Sequence, residues 1–536
     1  MKEHGEQKQR EAGEGLAVLA NWIVRICGTA IFLFLTWYSF RYTQYMNPGG
    51  EEIPLNVWDS MSRNLLVLLF AGAFLVFLAQ VEKRFSQQVK NRIKQAALAL
   101  TLLWIGGWSF WWITGADRLP TGDQAFVYGG ASYFLEGNYE FLAQGGYFGM
   151  YPHQLALTAL MELLFVFVGT YNYFAFQVIC AFLAVGIVFL GYRIVEEIAD
   201  QMSVLVFYCA AMLGCLPLIF YTSWVYGDIP SIFFSLLTAW ALLRYGKKSH
   251  WGYLTLCVFS LTMGILVRKN SLILLIAFCL VSLVWAVYRK DRKILMAAAL
   301  SVLLPWLLYM GIYKMYELRS GYEHSQGLPV LSWVSMGLQE NNGRYGWYFD
   351  YPRRIYYEND CDRDITEEVV KQHIEERLGV FRADASYAWT FFREKLLSQW
   401  NEPLYQSLYF NTEYVEGFEP PADSLTAKLG GEYFVKVLWV CDRLQFVVYF
   451  GMLLYFVLAV RPKSNPLQHL LAVMMIGGFL FSIFWEAKAR YVLPYYVTMF
   501  SFSAVGYWQL MEQIFGMIRG RGRKDKDNII KFRKAA

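Results

Sequence analysis

The chain has 536 residues, of which 56% are apolar and only 17% are charged, and its mean hydropathy is +0.31. Soluble globular chains carry about 45–50% apolar and about 25% charged residues. The composition therefore excludes a soluble protein of about three domains, which the length alone would suggest. The net charge of +5 is what a basic bias of cytoplasmic loops produces, so it gives no argument for a nucleic-acid partner.

The cysteines and the N-terminal residues carry no processing or zinc-binding signal. Seven of the eight cysteines lie in or beside apolar stretches, and Cys361 stands alone in a polar one. Without a CxxC or paired pattern, neither a disulfide framework nor a zinc site is indicated. The first 15 residues are polar and mixed in charge, so we predict no cleaved signal peptide.

Apolar stretches of about 20 residues recur along the chain, and each is long enough to cross a bilayer. Lysine and arginine gather in short loops on the cytoplasmic side, so we place five basic clusters there: residues 83–94, 244–248, 289–293, 461–463 and 519–534. This predicts an all-α polytopic membrane protein with both termini in the cytoplasm and twelve crossings, near residues 17–43, 62–82, 95–115, 171–193, 203–223, 228–245, 251–267, 271–288, 294–316, 438–460, 467–486 and 491–513.

One apolar segment, residues 155–168, is left over by this assignment. If it crossed the membrane, every later basic cluster would move to the outer face, against the positive-inside rule. We therefore predict a short or interfacial helix there. The same topology places residues 116–154, the turn around Asp228 and residues 317–437 on the outer face.

The long outer segment has helical patterning at residues 365–378 and 387–400, which is typical of a small folded cap. The predicted organisation has five parts: a cytoplasmic tail with two additional transmembrane helices (1–94), a transmembrane module with the external loop 116–154 (95–316), an external cap (317–437), C-terminal transmembrane helices (438–513) and a basic cytoplasmic tail (514–536).

Asp123, in the first large external loop, is the first candidate catalytic residue. It follows Gly122 and precedes a helix-compatible pattern over residues 125–135. A carboxylate at the mouth of a helix, near the bilayer surface, can accept a proton from an acceptor hydroxyl. Asp is also favoured at helix N-caps, which is a purely structural role. The spacing alone leaves both roles open.

The motif Asp123-Gln124-x-x-x-Tyr128, followed by Tyr151-Pro152-His153, resembles the Asp-Glu-x-x-Tyr…Pro segment of GT-C membrane glycosyltransferases. That group includes the dolichyl-phosphate-mannose protein mannosyltransferases and the bacterial aminoarabinose transferase. The resemblance, which runs from about residue 95 to 513, gives Asp123 the role of base or orienter for the acceptor. Gln124 stands where the family has Glu, so a second acidic group would have to come from Glu136 or Asp228. The two N-terminal spans are unusual against the family pattern.

Three further segments are consistent with this resemblance. Residues 226–230 place Asp228 at the start of a span, residues 268–270 (Arg-Lys-Asn) interrupt two apolar runs, and residues 486–494 resemble the Glu…Arg-Tyr-x-x-Pro element before the last span. In the family, a basic residue at the position of residues 268–270 faces the phosphate of the polyprenyl donor. The structural alternatives are snorkelling of the cations into headgroups and an i, i+4 ion pair between Glu486 and Arg490. On a continuous helix, Lys488 would point about 200° away from Arg490.

The predicted site therefore has two catalytic residues, Asp123 and Gln124, and a substrate-binding set: Asp117, Tyr128, His153, Asp228, Arg268, Lys269, Glu486, Lys488, Arg490 and Tyr491. The resemblance implies transfer of a sugar, with inversion, from a polyprenyl-phosphate donor to an external glycan, lipid or protein acceptor, in contact with membrane lipids. No cofactor is certain, and a divalent metal is not indicated because its carboxylates would have to come from several loops.

Two other classes compete with this interpretation. A transporter or flippase of lipid-linked sugars would also hold charges at membrane depth, and a polymerase or ligase of lipid-linked glycans would also have a large external loop. Convergence of Asp123, Arg268 and Arg490 in one outward-facing cavity is required by a glycosyltransferase and not by a transporter.

Overall fold

The computed structural model describes residues 2–413, 415, 418 and 420–518. The predicted basic tail lies outside the described residues from residue 519 onward, as does the fifth basic cluster. The other four clusters fall within the described part of the chain.

The described chain consists of helices joined by short turns. In chain order they are α1 (Lys2–Arg41), α2 (Met61–Glu82), α3 (Gln87–Gly115), α4 (Asp123–Leu135), α5 (Tyr147–Met150), α6 (Leu155–Val168), α7 (Tyr173–Ile198), α8 (Met202–Met212), α9 (Leu216–Phe220), α10 (Asp228–Lys248), α11 (Trp251–Val267), α12 (Leu272–Arg289), α13 (Arg292–Ser320), α14 (Leu331–Gly337), α15 (Tyr351–Glu358), α16 (Arg363–Ala383), α17 (Ala385–Trp400), α18 (Ser407–Thr412), α19 (Leu425–Gly430), α20 (Phe434–Leu454), α21 (Leu470–Phe484) and α22 (Leu493–Ile518).

Strands are confined to two antiparallel hairpins within the described residues: β1 (Tyr42–Tyr45) with β2 (Leu55–Trp58), and β3 (Glu340–Asn341) with β4 (Arg344–Tyr345). Single 3-10 turns occupy Glu140–Leu142, Pro152–Gln154, Tyr221–Ser223, Lys269–Ser271, Pro466–His469 and Ala489–Val492, and one π turn occupies Tyr455–Ala459. The all-α prediction is confirmed.

Nine of the described helices are long and apolar enough to cross a membrane, and the number rises to eleven if each of two bent helix pairs is one span. The prediction of a polytopic membrane protein is confirmed, whereas the exact number of twelve crossings is not. Helix α11 has only 17 residues, fewer than the roughly 20 that a full crossing needs. Helices α8 and α9 meet at a 55° bend within the span predicted over residues 203–223.

The outer faces of these helices carry large exposed apolar side chains, which only a lipid environment accommodates over so wide a surface. Examples, each at least half exposed, are Phe70, Leu103, Phe182, Ile276 and Trp306. The inner faces of α7, α10, α20 and α22 pack into one continuous apolar core.

Helix α6 begins and ends at the same end of the molecule. Before it, the Gln154 side chain donates to the Tyr226 hydroxyl, and after it the Tyr171 backbone N–H donates to Ser132 Oγ at 2.9 Å. A bend of 101° near residue 151 separates α6 from the preceding short helices. This geometry favours the predicted short helix over a crossing.

Basic residues at the opposite end of the bundle pair with acidic ones. Lys94 Nζ lies 2.8 Å from Asp200, and both Arg244 and Lys247 contact Glu197 at 2.8 and 2.5 Å. Two of the predicted cytoplasmic clusters and the acidic residues at the turn between α7 and α8 therefore share one end, far along α3, α7 and α10 from the external loops. Which end faces the cytoplasm stays a prediction, as do the domain boundaries.

The N-terminal spans are integrated into the bundle. Helix α1 packs against α20, α12 and α21, and the hairpin that follows it docks on the cap. The Gln44 backbone N–H donates to Asn401 O at 3.0 Å, and Asn401 Nδ2 donates to Tyr42 O at 2.6 Å. The hairpin thereby reaches the end of the bundle that carries the external loops.

The cap contains α14 to α17, and its two predicted helical segments lie within α16 and α17. It contacts the segment between α21 and α22, because the Ala487 backbone N–H donates to Gly346 O at 2.7 Å. Lys395, buried in α17, donates to Gly337 O at 2.5 Å and to Ile483 O at 2.9 Å. These hydrogen bonds fix the cap to residues 483–487, which come shortly before Arg490 in the chain.

Candidate active site

Asp123 is the first residue of α4, and the turn before it requires Gly122, whose φ of +54° is open to glycine at little cost. Its side chain does not cap the helix. Instead, Asp123 Oδ1 accepts a hydrogen bond from the Tyr147 hydroxyl at 3.0 Å, and the side chain remains 41% exposed. The carboxylate is therefore held in place and open to a ligand.

Arg490 lies in the 3-10 turn Ala489–Val492, and its Nη2 is 3.6 Å from Asp123 Oδ2. Its guanidinium carbon lies 5.3 to 5.6 Å from the centroids of four aromatic rings, which belong to Trp224, Tyr226, Phe410 and Tyr491. Ring faces at this distance attract a cation. The buried guanidinium is therefore fixed with one edge toward Asp123.

Arg268 reaches the same aromatic cluster from the turn between α11 and α12. Its guanidinium carbon lies 5.9 Å from the Tyr226 ring and 5.7 Å from the Tyr491 ring, and it forms a buried ion pair with Asp228. Arg268 and Arg490 thus share two rings. Asp123, Arg268 and Arg490, which are far apart in sequence, converge at the end of the bundle that carries the external loops.

The backbone of Arg490 is held by a chain of polar contacts. Its N–H donates to Gln406 Oε1 at 3.1 Å, Gln406 Nε2 donates to Glu52 Oε1 at 2.6 Å, and Lys488 Nζ contacts both Glu52 oxygens at 2.5 and 2.7 Å. Glu52 belongs to the loop between β1 and β2. The N-terminal hairpin therefore contributes directly to the surroundings of Arg490.

Gln406 itself occupies a left-handed backbone conformation, with φ of +61°. Glu402 stabilises this turn, because its carboxyl oxygens accept the backbone N–H groups of Leu404 at 3.2 Å and Gln406 at 2.7 Å. Burial raises the pKa of the Glu402 carboxyl to about 8, although the backbone N–H groups that it accepts act in the opposite direction.

Glu486 is buried beside this cluster and accepts a hydrogen bond from the Tyr491 hydroxyl at 3.0 Å. Burial raises its pKa to about 6, although Lys488 acts in the opposite direction. Residues 485–488 are not helical, so the continuous helix assumed for residues 486–490 is wrong. Both Glu486 and Arg490 are described, and no ion pair within 4 Å joins them.

The remaining predicted residues make contacts outside the pair of Asp123 and Arg490. Gln124 is buried, and its Oε1 accepts the Val225 backbone N–H at 2.7 Å, so it positions the segment before α10 instead of facing a ligand. His153 Nε2 is 3.2 Å from Gln154 Nε2, and Lys269 is exposed at the end of α11. Asp117 lines a separate cavity, and Tyr128 packs edge-on against Tyr173 in its wall.

Three residues that hold the site together were not predicted from the sequence: Tyr147, Gln406 and Glu52. Tyr147 lies in the same external loop as Asp123, but its spacing carries no signal that distinguishes it from the neighbouring tyrosines. Gln406 and Glu52 meet residues 84 and 436 positions away. Contacts this distant in sequence leave no local pattern in one chain.

Within the part of the chain that the structure describes, no three His, Cys, Asp or Glu side chains gather as a metal site would require. The carboxylates of Asp123 and Asp228 each lie beside an arginine instead.

Comparisons with known proteins give two matches. A family model described as dolichyl-phosphate-mannose-protein mannosyltransferase matches residues 152–309. The archaeal oligosaccharyltransferase AglB from Archaeoglobus fulgidus, solved with an inhibitory peptide and a dolichol-phosphate, is similar with 14% identity and a TM-score of 0.38, over 80% of this chain and 51% of that chain. This chain thus spans about half the length of that protein. A search of curated proteins finds no match.

The family match covers His153, Asp228, Arg268 and Lys269, while Asp123 and Arg490 lie outside it. It confirms the resemblance to GT-C enzymes that the motifs predicted. Residues 152–309 are thus similar to that family, and the apolar helices agree with a multi-pass membrane protein.

Proposed function

We propose that this chain transfers a sugar from a polyprenyl-phosphate donor to an acceptor on the extracytoplasmic side of the membrane. One observation carries the proposal: the partly exposed carboxylate of Asp123 lies 3.6 Å from the buried guanidinium of Arg490. A group that can accept a proton and a cation that can bind a phosphate therefore lie within reach of one bound donor.

In the proposed reaction, the acceptor hydroxyl approaches Asp123 from the exposed side. The carboxylate takes the hydroxyl proton while the acceptor oxygen forms a bond to the anomeric carbon of the donor. The bond between that carbon and the phosphate oxygen breaks, and its electron pair leaves with the polyprenyl phosphate. Attack opposite the leaving group inverts the anomeric centre, in agreement with the behaviour of the family that the motifs resemble.

Arg490 and Arg268 would stabilise the charge that develops on the leaving phosphate. Fixed cations in a site of low water content act on this charge without having to reorganise. The planar guanidinium suits phosphate because it donates two parallel hydrogen bonds. Asp228 would keep Arg268 in place between the two rings, and Tyr147 would orient Asp123.

A transporter of lipid-linked sugars is the second candidate, since it would also need buried charges. Transport sites lie near the bilayer midplane, between repeats. Here the charged residues gather at the helix ends, in the turns before α10, α12 and α22. This placement favours transfer chemistry over transport.

Native mass spectrometry tests donor binding. The purified wild-type protein should retain a polyprenyl-phosphate sugar, Arg490→Ala should lose it, and Arg382→Ala, a change at an exposed position of α16, should retain it. Transfer from a synthetic polyprenyl-phosphate sugar should follow the same order. A wild-type protein that neither retains the lipid nor transfers its sugar would contradict the proposal.

Cysteine labelling tests the sidedness. In a variant without native cysteines, a membrane-impermeant maleimide applied from outside should label Asp364→Cys in the cap and leave Lys248→Cys unlabelled. Both positions are exposed. Labelling at residue 248 but not at residue 364 would place the site in the cytoplasm and remove its access to an external acceptor.

A further inference from the structure

Asp117 and Tyr128 belong to the predicted substrate-binding set, yet neither takes part in the proposed reaction. Asp117 lines a cavity of about 330 Å³ between the end of α3 and the start of α7, and Tyr128 packs against Tyr173 in the wall of that cavity. Its polar and aromatic lining includes Asp117, Arg118, Tyr171, Asn172, Tyr173 and Ser223. Asp117 and Tyr171 are exposed at its mouth, so a ligand can enter from the outside.

Arg118 supplies two buried hydrogen-bond donors that point to a ligand. Its Nε and Nη2 atoms are buried and have no hydrogen-bond partner among the residues that the structure describes. A buried donor without a partner loses the free energy of its hydration. A ligand with acceptor oxygens would restore those hydrogen bonds, so the cavity is matched to a polar molecule.

Two lining residues adopt a backbone conformation that is unfavourable for side chains larger than glycine. The φ angle is +46° at Asp117 and +60° at Tyr171. The Tyr171 conformation is fixed by two contacts, from its N–H to Ser132 Oγ at 2.9 Å and from its hydroxyl to Glu136 Oε2 at 3.1 Å. Such conformations persist where the surroundings enforce them and cluster at ligand sites.

One short segment separates this cavity from the Arg490 cluster. Ser223 lines the cavity, and the next residue, Trp224, has its ring 5.3 Å from the Arg490 guanidinium carbon. Gln124, which follows Asp123, fixes the same segment through the Val225 N–H. A molecule in the cavity therefore lies across this segment from the place proposed for the donor phosphate.

We propose that this cavity binds a saccharide unit of the acceptor, an inference that rests on the proposed function. The Asp117 carboxylate accepts hydrogen bonds from sugar hydroxyls, and the Arg118 guanidinium donates to sugar oxygens. The Tyr171 and Tyr173 rings supply apolar surface for the carbohydrate face. Residues 223–225 separate this cavity from the reacting groups, so the saccharide unit bound here differs from the unit that attacks the donor, and the acceptor is a glycan of more than one sugar.

The test uses the full chain in lipid nanodiscs and a printed array of defined neutral and acidic oligosaccharides. Wild-type protein should bind at least one saccharide group on the array. Arg118→Met should weaken that binding about ten- to a hundredfold, the effect of losing charge-assisted hydrogen bonds. Asp117→Asn should weaken it several-fold, and Asn tolerates the left-handed backbone there. The matched control Arg382→Met should bind as wild type does.

Retention of polyprenyl phosphate by the same samples separates the two proposals. Both cavity variants should retain the lipid as wild type does, which also shows that they are folded. Saccharide binding by wild type without lipid retention would support the cavity and count against the proposed function. The cavity proposal is overturned if wild type binds no saccharide, if the variants bind equally well, or if the cavity instead holds a phospholipid that Arg118→Met releases.

Discussion

Asp123 and Arg490 face each other across the site, but the regions that hold them differ. The external loop leaves Asp123 41% exposed and fixes it through a single tyrosine hydroxyl. Arg490 is buried among four rings, and its backbone is tied to Gln406 and through it to Glu52. The group proposed to meet the acceptor is left open to water, whereas the group proposed to bind the donor phosphate is fixed away from water, where electrostatic stabilisation is stronger.

The largest expected effect concerns the open side. Asp123→Asn keeps the shape of the side chain and removes the proton acceptor, so the transfer rate should fall about 10²- to 10⁴-fold. Thermal unfolding should change little, since the side chain does not cap α4. Asp364→Asn, at an exposed position of the cap, is the matched control. Transfer at the wild-type rate in Asp123→Asn would show that another group accepts the proton.

On the buried side, Arg490→Lys keeps the charge and loses the planar donor pair. Affinity for a polyprenyl phosphate should fall by one charge-assisted hydrogen bond, about 1.5–3 kcal/mol or roughly ten- to a hundredfold. The affinity of Arg490→Ala for the lipid phosphate should be lower still. This change removes the cation altogether and leaves the negative charge of Asp123 without its neighbouring cation. Arg382→Lys is the control, measured by lipid binding in detergent. Unchanged affinity in a folded Arg490→Ala protein would remove Arg490 from the site.

Glu486 should make the stability of the folded protein depend on pH. Its pKa is raised to about 6, chiefly by burial, so its contribution to stability is complete below pH 4.5 and is lost as the pH rises through 6. The loss is about 2 kcal/mol. Glu486→Gln should abolish this dependence and be more stable than wild type at pH 7, as measured by unfolding in detergent at several pH values.

The exposed Glu376→Gln serves as the control for Glu486→Gln and should retain the wild-type profile. Two parallel profiles for wild type and Glu486→Gln would show that Glu486 is ionised in the folded protein as readily as in the unfolded chain.

Glu52 tests whether the hairpin positions Arg490. Glu52→Ala removes the partner of Gln406 and Lys488, and transfer should fall about tenfold, the lower end for a charge-assisted hydrogen bond. Glu52→Gln, which can still bond Gln406, should recover much of the rate. Glu51→Ala, at the exposed neighbouring position, should transfer at the wild-type rate. Equal transfer rates in Glu52→Ala and wild type would show that the hairpin packs against its neighbours without positioning Arg490.

The smallest effect is expected for Tyr147→Phe, which removes the hydroxyl that orients Asp123. A single neutral hydrogen bond is worth about 0.5–1.5 kcal/mol, so the transfer rate should fall roughly two- to tenfold. Steady-state rates at saturating donor would measure it. A loss as large as that in Asp123→Asn would give Tyr147 a direct part in proton transfer.

The sequence predicted the fold class well because the apolar stretches that cross a membrane are local and long. Asp123 and Arg490 were predicted from short motifs, and their side chains lie 3.6 Å apart, whereas their roles stay a prediction. The direction of Lys488 was wrong, because a break between α21 and α22 replaces the assumed helix, and Lys488 turns toward Glu52. This contact makes Lys488 unsuitable as a neutral control for Arg490.

The crossings were harder to count than to find. The 55° bend between α8 and α9 and the 17 residues of α11 blur the distinction between a full span and a shorter one. The contacts of Glu52 and Gln406 were beyond prediction for a different reason. They depend on how the first and last helices pack, and hydropathy carries no information about which helices become neighbours.

The contact between Glu52 and Lys488 joins residues 436 positions apart, and it sets an order of events during biosynthesis. A ribosome releases the N-terminal hairpin long before it makes the segment that the hairpin supports. The proposed donor-binding side is therefore incomplete until the segment before α22 has been made. A truncated chain that has made α1 to α20 carries Asp123 but neither Lys488 nor Arg490, so an unfinished protein already in the membrane would lack half of the proposed site.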